Sequence, residues 1–198
     1  ILDIGCSSGL FLSIASSHGY ECFGIEPNRL ESTYAKEHGV NVCGAQLSDL
    51  SDSQKFDIIT LWDVLEHIKN PKAYLGTVKN HLRSTDSLVF VQIPSADSLA
   101  ARMLREHCKM FDGIEHLTLF GYRSLKETFE QAGYQLLCAN SVISELYPIG
   151  NYLSYCYDPY LHKPTHPYPI DLLGLGSLEK DMLGYKIQAV FQPRQTKE

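Results

Sequence analysis

The run Ile1-Leu2-Asp3-Ile4-Gly5-Cys6-Ser7-Ser8-Gly9-Leu10-Phe11-Leu12 constrains the fold more than any other stretch of this chain. Ile1, Leu2 and Ile4 read as a short buried strand around Asp3. Gly5 and Gly9 bracket a tight turn, and Leu10 opens an apolar helix. Glycine suits such a turn because the backbone bends sharply and a ligand can approach without meeting a Cβ. The helix that follows aims its first N–H groups at the same spot. Together these features make a seat for a nucleotide-like ligand, although the same residues also suit a plain strand-to-helix turn. A dinucleotide fingerprint requires G-x-G-x-x-G. Ser7 and Leu10 stand where its second and third glycines would be, so the pattern here is D-x-G-x-x-x-G.

Periodicity then sets the order of elements. Leu10 to His18 has helical apolar spacing and stops at Gly19. Tyr20 to Ile25 reads as a second strand, ending at Glu26-Pro27-Asn28. Arg29 to His38 is a helix stopped by Gly39, and Val40 to Cys43 is a third strand. Gly44 to Lys55 is polar and loop-like. Phe56-Asp57-Ile58-Ile59-Thr60-Leu61-Trp62 is the strongest strand, apolar nearly throughout, as a central parallel strand should be. Asn70 and Pro71 open a helix to about Arg83, Leu88 to Ile93 is a fifth strand, and Ser98 to Glu106 is helical. Ser124-Leu125-Lys126-Glu127 is read as a capping box opening a helix that ends near Gly133. Tyr134 to Val142 and Tyr185 to Phe191 are the last two strands. Five strand–helix alternations predict an α/β fold with a mainly parallel sheet.

The chain has 198 residues, which suits a single domain, 1–198, with a full core. It begins with Ile1, inside the first strand, so it is read as lacking an N-terminal portion. Net charge is −6 with no long basic run, which argues against a nucleic-acid partner. No apolar run reaches membrane-spanning length. The six cysteines (Cys6, Cys22, Cys43, Cys108, Cys138, Cys156) form no C-x-x-C pair. They suggest buried free thiols and a reducing, cytoplasmic setting. Ser144 to Leu183 is a Tyr/Pro-rich insertion. Its six tyrosines suit either a wall for an acceptor molecule or a packed surface excursion.

In an open parallel sheet the ligand sits beyond the carboxyl ends of the strands. Gly5 to Gly9, Glu26, the Gln46-Leu47 loop and Leu61 to His67 all fall at such ends. A carboxylate at Glu26 can accept two hydrogen bonds from a ribose diol, or it can serve the helix that follows.

Taken in order, several segments resemble class I S-adenosylmethionine (SAM)-dependent methyltransferases, in a bacterial branch related to ubiquinone-biosynthesis O-methyltransferases. They are Ile1 to Gly9, Gly24 to Pro27, Phe56 to His67, Ile93 to Ser98, Glu115 to Phe120 and Gln131 to Tyr134. The resemblance covers Ile1 to Val142 and the final strand, and leaves the Tyr/Pro-rich insertion unmatched. It implies a Rossmann-like seven-stranded sheet, order 3-2-1-4-5-7-6, with strand 7 antiparallel and helices on both faces. It also implies a cofactor site of Asp3, Gly5, Cys6, Ser7, Gly9, Glu26, Pro27, Gln46, Leu47, Leu61 and Trp62 for SAM. Many relatives carry an aspartate near Ala45 for the adenine amino group. Here Asp49 or a backbone group would have to serve.

The expected reaction is methyl transfer to a small molecule at a hydroxyl oxygen. Alternatives are a non-catalytic SAM-binding domain and, against the missing glycines, an NAD-linked reductase. A hydroxyl acceptor needs help in losing its proton, and His67 and His116 are the candidate bases. Each could instead be a plain structural histidine. Asp63, Glu66 and His67 are spaced i, i+3, i+4, and would share one face if that turn were helical. With His116 they form a candidate site for Mg²⁺ or Mn²⁺. A similar acidic-x-x-Glu-His run with a distant His holds a divalent ion in small-RNA 2′-O-methyltransferases.

Overall fold

The computed structural model describes residues 1–111, 113–142, 157–158, 163–164 and 182–195. Its main sheet is built from β1 (Leu2–Ile4), β2 (Phe23–Ile25), β3 (Val42–Gly44), β4 (Ile58–Trp62), β5 (Leu88–Pro94), β6 (Tyr134–Val142) and β7 (Lys186–Pro193). The spatial order is β3-β2-β1-β4-β5-β7-β6. The pairs from β3 through β5 are parallel. β7 runs antiparallel to both β5 and β6. Tyr157–Asp158 and Lys163–Pro164 pair as a two-residue ribbon inside the Tyr/Pro-rich insertion. The rest of that insertion, apart from Met182 and Leu183, and with it the expectation that it walls an acceptor pocket, lies outside the described residues.

Helices α1 (Leu10–Ser17), α2 (Arg29–Glu37), α3 (Pro71–Asn80), α4 (Leu99–Leu104) and α5 (Tyr122–Gln131) connect the strands. Strand periodicity distributes them on two faces. Leu2, Ile4, Ile59, Leu61, Val89, Val91, Ile187 and Phe191 join Leu75 and Val78 of α3 and Leu125 and Phe129 of α5 in the larger core. On the other side Cys6 and Val42 pack with Leu12 of α1 and Ala35 of α2. Phe129 lies flat on Phe191, with ring centroids 3.7 Å apart. Buried Tyr134 donates its hydroxyl proton to the Leu75 carbonyl at 2.8 Å, which fastens β6 to α3. None of the helices among the described residues is long and apolar enough to cross a membrane.

Several local expectations change. The 44–55 segment contains a 3₁₀ turn, Leu47–Asp49. The fifth helix opens at Tyr122, and Ser124 is its third residue, not its cap. Ser124 Oγ reaches back to the Gly121 N–H at 3.0 Å. The Tyr122 N–H is capped by Asp97 Oδ2, 25 residues earlier, at 3.0 Å. A carboxylate from another element therefore does what a local Ser would otherwise do. Of the cysteines, Cys6 and Cys108 are buried and Cys22 and Cys43 half-buried, while Cys138 is exposed. Cys156 lies outside the described residues.

Candidate active site

The glycine turn is a left-handed structure in three places. Gly5 and Gly9 have φ of 76° and 81°, and Ser7 between them has φ of 48°. The strict need for glycine at 5 comes from packing as well as backbone. A Cβ there would lie 2.6 Å from Val64 Cγ2, on the turn after β4. At Gly9 it would lie 2.6 Å from Val40 Cγ2. The two glycines thus let the β1 turn nest against its neighbours.

Glu26 is nearly buried at the end of β2. Its carboxylate accepts from the Ser7 N–H at 2.8 Å and the Asn28 N–H at 2.7 Å. A carboxylate has about four lone-pair directions, so two are left for a ligand diol. Asn28 Oδ1 in turn caps α2. Beneath the turn, Asp3 is 2% exposed and accepts the Thr60 hydroxyl proton at 2.6 Å. Burial pushes its carboxyl up to about 7, opposed by the Thr60 bond and reinforced by the Glu26 charge. Burial also pushes the Cys6 thiol up to about 12, which makes it an inert packing group.

A cavity of about 550 Å³ opens at the carboxyl ends of β1, β2 and β4. That volume falls in the range of small-molecule sites. Gly5, Glu26, Pro27, Gln46, Leu47 and Trp62 line it, as does His67. Asp3, Cys6, Ser7, Gly9 and Leu61 do not. Leu61 is fully buried on the α3 and α5 face, because alternate strand residues point to opposite sides. Trp62 faces the other way, between Phe11 and Phe90. Asp49 is not at the cavity either. Its Oδ2 accepts from the Ala45 and Gln46 N–H groups at 2.8 and 3.1 Å, which holds its carboxyl below the usual range and shapes the loop. The sequence reading missed Ile68 and Tyr74, which with Ile4, Ile25, Ala45 and Val64 add apolar lining.

The turn after β4 does not form the expected helical face. Asp63 has a left-handed φ of 54°, and Leu65–His67 is a single 3₁₀ turn. Glu66, His67 and His116 come together, with ligand atoms all within 4.8 Å of one another. Asp63 stands apart from them. Its Oδ2 lies 2.5 Å from Lys186 Nζ and 3.2 Å from Gln92 Nε2. The loop carrying His116 is pinned to this turn, because the Leu117 and Thr118 N–H groups both donate to the Glu66 carbonyl. His67 Nδ1 lies 2.8 Å from the Glu115 carbonyl oxygen, and His116 Nδ1 lies 2.9 Å from that of Met110. A carbonyl only accepts, so each Nδ1 donates its proton there. Among the described residues, the buried side-chain N and O atoms without a hydrogen-bond partner are Trp62 Nε1, Asp63 Oδ1 and both oxygens of Glu66. All four fall within five consecutive residues. Burial, with the Asp63 charge adding to it, raises the Glu66 carboxyl well above the usual carboxylate range.

A family described as methyltransferase domain matches residues 1–139. The chain belongs to that family. This methyltransferase domain is 32% identical over 103 residues to a ubiquinone biosynthesis O-methyltransferase of Glaesserella parasuis, covering 46% of this chain and 43% of the relative. It is 29% identical over 101 residues to the protein of the same name from Coxiella burnetii, covering 47% and 43%. The match therefore spans less than half of each of these relatives. Solved structures share the fold. A SAM-dependent methyltransferase from Archaeoglobus fulgidus superposes with a TM-score of 0.62 at 16% identity, covering 96% of this chain and 84% of that one. Magnesium protoporphyrin IX methyltransferase from Synechocystis, solved with bound SAH, gives 0.63 at 11% identity, covering 98% and 73%.

Proposed function

We propose that this domain binds SAM in the cavity beyond β1, β2 and β4 and transfers its methyl group to a hydroxyl oxygen of a small molecule. One observation carries the reading: a cavity of cofactor size has a glycine turn and Glu26 on one side and His67 on the other. Glu26 takes the ribose diol, Gln46 and Leu47 flank adenine, and Trp62 borders the reacting methyl. A sulfonium methyl is already activated, so the domain mainly aligns donor and acceptor and excludes water. His67 Nε2 is placed to take the acceptor's proton, with its ring oriented by the Glu115 carbonyl. The ubiquinone biosynthesis O-methyltransferases among the relatives favour oxygen as the acceptor atom.

The residues around Glu66 also fit a divalent cation. Two buried carboxylate oxygens without a hydrogen-bond partner among the described residues sit beside two imidazoles, with the candidate ligand atoms all within 4.8 Å of one another. Glu66, His67 and His116 would hold it; in that reading His67 Nε2 is a ligand instead of the base, and the ion would supply positive charge to an acceptor oxygen losing its proton. Calorimetric titration with SAM and with NADH, then methyl-transfer assays on phenolic acceptors, tests the proposal. Failure to bind SAM refutes it, and binding without transfer favours a non-catalytic SAM-binding domain. Transfer that survives EDTA, with an unchanged rate in Glu66→Gln, removes the cation alone.

A further inference from the structure

Asp63 follows β4 directly and lines the same cavity as His67, yet its carboxylate is engaged elsewhere. We propose that Lys186 withholds Asp63 from the candidate cation site, so that Glu66, His67 and His116 alone hold the ion. The inference rests on the cation reading above.

The restraint is built by two neighbouring strands. The register of β5 against β7 pairs Gln92 with Gln188 and Pro94 with Lys186. Gln188 Nε2 donates to Gln92 Oε1 at 2.9 Å, which turns the Gln92 amide N–H toward Asp63 Oδ2. Lys186 Nζ reaches the same oxygen from the last strand. The Lys186 side chain is only 18% exposed, so its charge is largely withdrawn from water and needs Asp63 as its counter-ion. The Asp63 N–H donates to the Gln92 carbonyl at 2.9 Å, which fixes the backbone too. The left-handed Asp63 then carries its side chain out of the i, i+3, i+4 row that a helical turn would have made. Asp63 Oδ1 remains buried and without a partner among the described residues. Asp63 is thus close in sequence to the cluster and restrained by a distant strand.

The restraint has a chemical consequence. One carboxylate and two neutral imidazoles leave a divalent ion with net positive charge, whereas a second carboxylate would cancel it. Two histidines and one carboxylate also leave coordination positions open. Lys186 is therefore a positioning residue that keeps the site both cationic and accessible to an acceptor oxygen.

Mn²⁺ titrated into the full chain, with free ion followed by electron paramagnetic resonance, tests this without any turnover. Glu66→Gln should weaken binding by roughly tenfold or more, while Asp63→Asn should stay within about twofold of the parent. Lys186→Met should bind several-fold more tightly, because Asp63 is released to the ion. The double variant Lys186→Met/Asp63→Asn should return to the parental affinity, which a merely structural role for Lys186 does not explain. A loss in Asp63→Asn comparable to that in Glu66→Gln overturns the proposal and leaves the cation reading intact. Unchanged binding in a folded Lys186→Met overturns it as well. If Lys186→Met does not fold, Asp63→Asn decides alone by the same criterion. No Mn²⁺ binding by the parent or by Lys186→Met overturns the cation reading and this proposal with it.

Discussion

Replacing Asp3 with asparagine should flatten the dependence of stability on pH. The Asp3 carboxyl stands at 3.8 in an unfolded chain and at about 7 in the folded one. Between those values the folded chain holds a proton that the unfolded chain has lost. Stability therefore falls as pH rises, beginning above 3.8 and ending above about 7. From pH 5 the loss runs at about 1.36 kcal/mol per pH unit and fades as the folded carboxyl ionises near 7, so between pH 5 and 8 Asp3 alone removes about 3 kcal/mol. That is a large part of the stability of an ordinary domain. Asparagine keeps an oxygen for the Thr60 hydroxyl and never ionises. Glu66, whose carboxyl is also raised, stays in both proteins, so the variant keeps a reduced slope. Urea unfolding of parent and Asp3→Asn at pH 5, 6, 7 and 8 gives the comparison. The variant should lose about 3 kcal/mol less across the window and be the more stable protein at pH 8. Equal slopes would refute the reasoning, because Asp3 would then titrate alike in both states.

Glu26→Ala should weaken SAM binding by about 2 kcal/mol, or roughly 30-fold in Kd, read by calorimetry. Parental affinity in a folded variant would place the ribose elsewhere. Gly5→Val should lose SAM binding and melt earlier, because its Cβ meets Val64 Cγ2 and its φ of 76° is left-handed. A stable, SAM-binding Gly5→Val would show that the turn tolerates rearrangement. Chelation should abolish methyl transfer and added Mn²⁺ should restore it. The His67→Ala rate should stay low whatever metal is supplied, since His67 borders the cavity itself.

The parts of the fold that could be read from the chain are those whose partners are local or periodic. β4 was visible because a central parallel strand is apolar on both faces. The glycine turn was visible because its backbone needs left-handed φ at Gly5 and Gly9. Leu61 and Trp62 could not both face a cavity, and the two-residue period of a strand was enough to choose between them. Asp63 was misplaced for a different reason. Its i, i+3, i+4 spacing suits a helix, but the stretch is a 3₁₀ turn preceded by a left-handed residue. What draws Asp63 away is Lys186, 123 positions later, and no local pattern points to it. The cap supplied by Asp97 to the fifth helix was hidden in the same way.

The last strand in sequence is next to last in space, and that matters for a nascent chain. β1 to β5 can pair with one another as they leave the ribosome, but β6 cannot, since its sheet neighbour is β7. Until residues through Pro193 emerge, the free edge of β5 presents unpaired backbone groups that invite wrong partners. α5 waits as well, because Phe129 stacks on Phe191 of β7. The sheet and its second helical layer therefore close only once the last strand has emerged and seats itself between β5 and β6.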